Sequence, residues 1–181
     1  MKTLKTGRTT NIAVLAILTC VLLIGGGTGP APAVAETTGG GGRDNCWMTG
    51  GGSILDVEYG GRVTHGFVLH CTPRNSDNLQ IVDHFTGQSF HLERVINAVC
   101  QDDPAIDPNP PDATFDTFTG EGAGRCKQPD RACTATWTFT DGGERGGCVR
   151  DTALIEVRDA DGIVFSVSGD VDCGNHQAHS Q

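Results

Sequence analysis

The sequence predicts an all-β protein: an antiparallel β-sandwich or small β-barrel of about eight strands in a mostly meander order. The first observation is that apolar residues recur at every second position, the period of a half-buried strand, and keep no helical spacing over a useful length. The second is that turn signals rich in Gly, Asp and Thr separate these runs and are short enough for hairpins. The third is that the alternate positions are polar, which favours antiparallel pairing.

Residues 1–35 have the layout of a signal peptide. Basic residues precede an apolar run over 12–24, and small residues then lead to the cleavage pattern Ala33-Val34-Ala35. The apolar run is shorter than the roughly 20 residues that a membrane-spanning helix needs. We therefore expect a secreted or extracellular chain that begins at Glu36 and has no membrane attachment after the leader is removed.

The remaining chain divides into a flexible Gly-rich segment over 36–45, a single β domain over 46–174 and a C-terminal tail over 175–181. Eight strands are predicted, at 53–59, 62–71, 78–84, 89–100, 113–119, 132–140, 152–159 and 163–171. The alternation is clearest in the sixth, where apolar residues share one face and threonines the other. The long connection over 101–112 is rich in Pro and Asp, and because proline lacks the ladder donor we expect an exposed crossing segment there.

The charge of the chain excludes two classes of partner. The formal net charge is -9, and removal of the leader takes away three basic residues and no acidic one. An acidic surface of this kind repels phosphate backbones and anionic lipid heads. We therefore expect neither a nucleic acid nor a membrane surface as partner, whereas a cation or a basic partner would be favoured.

Eight cysteines occur, and seven remain after the leader is removed. In an exported chain they favour disulfides. Cys71 and Cys100 each end a set of alternate, inward-facing apolar residues in a predicted strand, so we predict that they pair. Closing this loop of about 30 residues would stabilise the fold by about 3 to 4 kcal/mol. Cys126 and Cys133 bracket a polar turn and form the second predicted pair. The pairing among the three others stays open: Cys46, Cys148 and Cys173.

Four histidines are candidate metal ligands. His176 and His179 lie three residues apart and would chelate zinc if the tail were helical, although a solvated tail explains them as well. His84 and His91 flank a turn and would meet across a hairpin, either as a metal-binding or as a pH-sensitive pair. His65 falls in the phase of apolar neighbours, which favours a buried imidazole hydrogen-bonded to backbone.

Three acidic residues in one Gly-rich connection are candidate calcium ligands: Asp141, Glu144 and Asp151. Flexible, oxygen-rich loops suit Ca²⁺, but the spacing does not match an EF-hand, and turn-forming or solvated acids are the alternative explanation. No other cofactor is expected.

Short phrases of the mature chain carry a family resemblance. They are Met48–Ile54, Val63–Val68, Asn78–His84, Trp137–Asp141, and Val167–Asp170 leading to Gly174-Asn175. In this order they resemble the uncharacterised β-rich module that follows choice-of-anchor domains in exported bacterial proteins. The resemblance implies a non-catalytic extracellular β-domain and brings no catalytic residue or cofactor.

These observations predict a secreted, disulfide-containing, non-catalytic β-domain with a binding or surface-structural role, whose partner is a protein or glycan surface. The sequence has no catalytic signature; Gly51-Gly52-Ser53-Ile54 lacks the second glycine of a nucleophile elbow. Two alternatives stay open. One is a small-ligand carrier with an interior cavity, and the other is a metal-dependent hydrolase.

Overall fold

A computed structural model describes residues 45–56, 60–104, 106, 113–143 and 151–181. Its described part contains nine strands in one antiparallel sheet, so the predicted all-β class is confirmed. The strands are β1 (Trp47–Asp56), β2 (Gly61–His70), β3 (Asn78–Asp83), β4 (Ser89–Gln101), β5 (Thr117–Lys127), β6 (Arg131–Thr140), β7 (Thr152–Asp159), β8 (Gly162–Asp170) and β9 (Cys173–His179). The predicted signal peptide, all but Asn45 of the Gly-rich segment, Glu144 and Cys148 lie outside the described residues.

The sheet is curled, and its two ends meet at one short link. The strand order is β8-β7-β6-β5-β4-β3-β2-β1-β9, so β8 and β9 lie at opposite ends. Only Val171 and Asp172 separate them along the chain. The Val171 N–H donates to the Asp151 carbonyl at 2.8 Å, and the Asp172 N–H donates to the Ser53 carbonyl at 2.7 Å. The link is therefore bonded to β1 and to the residue before β7, the strands next to the two ends of the sheet, which the curl brings together.

Alternate side chains of the strands fill the inside of this curl. The largest that are fully buried are aromatic, and they come from β4, β5 and β6: Phe90, Phe118, Trp137 and Phe139. Burial of apolar surface contributes about 25 cal/mol per Å², so large rings provide much of the driving force for folding. One continuous core results, with Met48, Ile54 and Ile81 also fully buried.

Strand β5 is longer than predicted because its glycines give no alternation signal. The prediction ended at residue 119, whereas the strand continues to Lys127 through three glycines. A Cβ atom on Gly120 would lie 2.6 Å from two ring carbons of Trp137, and one on Gly122 would lie 2.3 Å from the Leu92 side chain. The missing side chains thus create the space that the neighbouring rings occupy.

The C-terminal segment is a strand, which corrects the expectation of a tail over 175–181. Strand β9 pairs with β1 from Trp47↔His179 to Ser53↔Cys173. Two of its side chains, those of His176 and Ala178, are buried. The segment is short in apolar residues, so its hydrophobic pattern was too weak to predict a strand; its order comes from backbone pairing.

Two disulfides join Cys71 to Cys100 and Cys126 to Cys133, the same two pairs that the sequence predicts. The first ties the end of β2 to β4, and the second lies across the β5–β6 hairpin. Disulfides are typical of proteins that fold in an oxidising compartment outside the cytosol.

None of the described residues belongs to a helix with the length and hydropathy needed to span a bilayer.

We predict that Gly120→Ala lowers the free energy of unfolding by about 1 to 3 kcal/mol, because the added methyl group overlaps the Trp137 ring. Urea unfolding measures the loss. Gly66→Ala is the matched control, since no atom lies within 4 Å of its added Cβ, and we expect it to change stability by no more than about 0.5 kcal/mol. Equal losses in both variants would contradict the packing argument.

Candidate functional site

Two histidines meet inside the curled sheet. His65 on β2 and His176 on β9 are both buried, and their Nε2 atoms lie 2.7 Å apart. Strand β1 runs between them, and its positions beside the two rings are Gly50 and Gly52. A Cβ on Gly50 would lie 2.8 Å from the His176 ring, so the missing side chain at residue 50 leaves room for that imidazole.

The hydrogen bonds fix the tautomer of each ring. His176 Nδ1 lies 3.0 Å from the Thr140 carbonyl oxygen, which only accepts, so Nδ1 carries the proton. Its Nε2 is therefore the acceptor in the neutral ring, and His65 Nε2–H must donate to it. That assignment leaves His65 Nδ1 as a bare nitrogen, and within the described residues it has no hydrogen-bond partner.

Aromatic rings surround the histidine pair and keep it neutral. The Phe139 ring lies 5.3 Å from His65 and 5.2 Å from His176 between centroids, and Phe67 lies 5.1 Å from His176. Burial, and next the neighbouring His176, lower the pKa of His65 to about 3. Burial also lowers the pKa of His176 to about 4, although its bond to Thr140 and the charge of Asp141 act in the opposite direction.

Two buried carboxylates hold β9 in place. Asp151 accepts the N–H of His176 on one oxygen at 2.5 Å and the N–H of Gly142 on the other at 2.9 Å. Asp141 accepts the N–H of Ala178 at 2.8 Å and that of Gly143 at 3.0 Å. Each carboxylate therefore bridges a strand edge and the connection after β6. The structure brings Asp141, Asp151 and His176 together as backbone-binding groups of one cluster.

A third buried carboxylate, Asp116, lies next to this cluster and was not singled out from the sequence. It accepts the N–H of Asp103 at 3.1 Å and the hydroxyl of Thr117 at 2.7 Å, while its own carbonyl accepts the N–H of Asp141. Burial raises the pKa of Asp116, and the bonds from Thr117 and Asp103 oppose the shift. The sequence feature that could have identified Asp116 is its position directly before β5, at the end of the long connection.

The predicted histidine pairs do not form. His176 faces the core, whereas His179 lies on the other face of β9 and bonds Thr49 Oγ1 at 3.0 Å, because residues three apart in a strand point in opposite directions. His84 bonds Thr64 at 2.9 Å, and His91 lies opposite Gln80. The described residues hold no group of three or more His, Cys, Asp or Glu side chains placed to bind one metal ion.

Three depressions are lined by described residues, and two of them reach core side chains: Phe67 in one, and Val63 and Phe165 in the other. A groove of about 480 Å³ follows the β2–β3 surface, with Gln80 and Val82 among its lining. A pocket of about 220 Å³ beside Phe85 opens between β2 and β8. A polar cleft of about 160 Å³ lies beside Trp47.

Comparisons of the chain with protein-family models, with curated proteins and with solved structures found no match. The resemblance to the module that follows choice-of-anchor domains therefore stays a prediction.

We predict that Asp151→Asn destabilises the protein by about 1 to 3 kcal/mol. The Asp151 carboxylate accepts one backbone N–H on each oxygen, whereas the asparagine amide has a single oxygen and would turn its N–H₂ group toward the other donor. The backbone amide of His176 should also exchange its hydrogen faster in this variant than in the wild-type protein. Asp130→Asn is the control: its carboxylate is exposed and pairs with Arg125 and Lys127, and exposed pairs contribute at most about 1 kcal/mol. Unchanged exchange at His176 would contradict the bridging role.

We predict that stability falls on acidification, because the native histidine pair excludes protons that the unfolded chain binds. The free energy of unfolding should be highest above the ordinary histidine pKa of 6.5, fall below it, and level off as the pH passes the native pKa values of about 4 and about 3. Each histidine contributes a slope of up to about 1.4 kcal/mol per pH unit.

Urea titrations at a series of pH values measure this slope. His65→Gln keeps a side-chain N–H for His176 and removes one titrating ring, so the slope should fall by about one proton. An identical slope in the wild-type and variant proteins would show that the pair does not carry the pH dependence.

Proposed function

We propose that this chain is a secreted, non-catalytic binding domain that recognises a glycan or protein partner at an extracellular surface. One observation carries the proposal: the buried groups best suited to acid–base or metal chemistry already bind backbone or each other. Asp141 and Asp151 use both oxygens on backbone N–H groups, and His65 and His176 are bonded ring to ring.

The scaffold supports binding at its outer surface and rims. Two disulfides and a single continuous core hold the strands, so the turns between them are presented on a rigid frame. Phe85 illustrates this: its side chain is 66% exposed, yet Asp83 fixes its turn by accepting the Phe85 N–H at 2.9 Å. An exposed aromatic ring on a fixed turn loses little conformational entropy when a partner packs on it.

The interior supports rim binding over the carrier alternative. Aromatic side chains from three neighbouring strands occupy the space that a carried ligand would need, with Trp137 and Phe139 fully buried. The groove of about 480 Å³ is lined in part by strand residues that point outward, such as Gln80 and Val82.

The test combines a binding assay with a turnover assay. The exported full-length protein, recovered with its leader processed, is labelled and applied to an array of bacterial and animal glycans and to immobilised extracellular matrix proteins. Chromogenic esters and glycosides are incubated with the same protein, with and without added Ca²⁺ or Zn²⁺. We expect saturable binding to members of one class and no turnover. Turnover that exceeds the buffer rate and is lost in His65→Gln or Asp151→Asn would refute the proposal.

A further inference from the structure

A row of three rings lies on the outer face of the sheet near the C-terminus. Trp47 on β1 is in register with His70 on β2 and with His179 on β9. Trp47 stacks on His179, with centroids 4.9 Å apart and an interplanar angle of 18°. On its other side, Trp47 and His70 are 6.5 Å apart and tilted by 34°. Trp47 is therefore stacked on the β9 side and makes a looser, tilted contact on the β2 side.

Polar side chains line a cleft beside Trp47. The cleft of about 160 Å³ is lined by Asn45, Trp47, His70, Arg74 and Gln181, and we call it the Trp47 cleft. Two amides supply both donors and acceptors, and the guanidinium supplies donors. The cleft thus combines one aromatic wall with mixed hydrogen-bonding groups.

A buried carboxylate fixes the imidazole of the cleft. The Asp77 side chain is 1% exposed and accepts Nδ1–H of His70 at 2.6 Å. It also accepts the backbone N–H groups of His70 at 3.0 Å and Arg74 at 2.7 Å. Because the carboxylate takes Nδ1–H, the neutral ring keeps Nε2 as an acceptor. His70 and the backbone of Arg74 are thereby held in place before any ligand arrives.

We propose that the Trp47 cleft binds one pyranose ring of a glycan; this rests on the proposed function. A pyranose has a C–H face that packs on an aromatic ring and a rim of hydroxyls that both donate and accept. The cleft offers both features, and its volume is below the roughly 300 Å³ at which pockets for larger ligands begin. A phosphate ligand is disfavoured because Arg74 is the single permanently charged cation in the lining and the chain is acidic overall.

The experiment uses the internal pair of tryptophans. The chain has two, and Trp137 is buried whereas Trp47 lines the cleft. The exported full-length protein, labelled with ¹⁵N, is titrated with the methyl glycosides of glucose, galactose, mannose and N-acetylglucosamine. We expect at least one glycoside to shift the indole N–H resonance of Trp47 and leave that of Trp137 in place. No Trp47 shift with any of the four overturns the proposal.

Variants separate the aromatic wall from its surroundings. Trp47→Ala should weaken the affinity for the active glycoside by about tenfold or more, as truncation of a central aromatic contact does, and Trp47→Phe should lose less. Leu154→Ala, at a 50% exposed position on the outer face of β7, is the control and should bind normally. Asn45→Ala with Gln181→Ala tests the polar lining without touching the core and should also weaken binding.

The outcomes distinguish the cleft from the broader proposal. If the glycan array is bound equally by the wild-type and Trp47→Ala proteins, the cleft proposal fails and the proposed function stands with its site elsewhere. If the array and the matrix proteins are all silent for the wild-type protein, the proposed function fails as well. Binding to a matrix protein alone would overturn the sugar site and keep the binding domain.

Discussion

The fold depends on how the sheet closes, and closure depends on hydrogen bonds that are not made between strands. Strand β9 pairs with β1 on one edge, while its other edge presents the N–H groups of His176 and Ala178. A buried donor without a partner costs about 1 to 3 kcal/mol. Asp151 and Asp141 accept those two groups, so side-chain oxygens replace the neighbouring strand that the edge lacks. Exposed edges invite pairing with other chains, and this arrangement removes one.

The same closure explains the buried histidines and the glycines of β1. When the link at Val171 and Asp172 brings β9 beside β1, an imidazole on β9 faces one on β2 across β1. A Cβ at residue 50 would meet the His176 ring, and one at residue 52 would meet the Val171 side chain, so the two glycines leave room for both. Because His65 donates to His176 and His176 donates to Thr140, two polar rings are buried with one ring nitrogen, His65 Nδ1, unpartnered among the described residues.

The sequence predicts a strand accurately where apolar and polar side chains alternate along it. Strand β6 shows strict alternation of apolar and threonine residues and lies within one residue of its predicted bounds. Strand bounds are predicted poorly where the strand is held by backbone pairing and its side chains do not alternate. The glycines of β1 and β5 hide the parts of these strands that lie outside the predicted bounds, because glycine adds nothing to side-chain periodicity. In β4, bulges after Leu92 and Val95 shift the phase of the alternation, so Ile96 is 45% exposed although it lies an even number of residues from the buried Leu92.

The candidate site divides along the same line. Burial of His65 follows from its phase within β2, and the sequence predicts it, although its partner is His176 rather than backbone. The grouping of Asp141, Asp151 and His176 was not predictable, because it depends on β9 folding back beside the connection after β6. Long-range contacts between residues in segments without hydrophobic alternation leave no periodic signal.

Closure of the sheet also assembles the row of rings on the outer face. His179, which stacks on Trp47, is three residues from His176, so one short strand carries both the core contact and the outer contact. When β9 separates from β1, the row is lost together with the histidine pair. A ligand that requires the row therefore binds only the closed sheet and stabilises it in proportion to its concentration and affinity. Because Asp141 and Asp151 bind the backbone of β9, these buried carboxylates also hold His179 against Trp47 on the outer face.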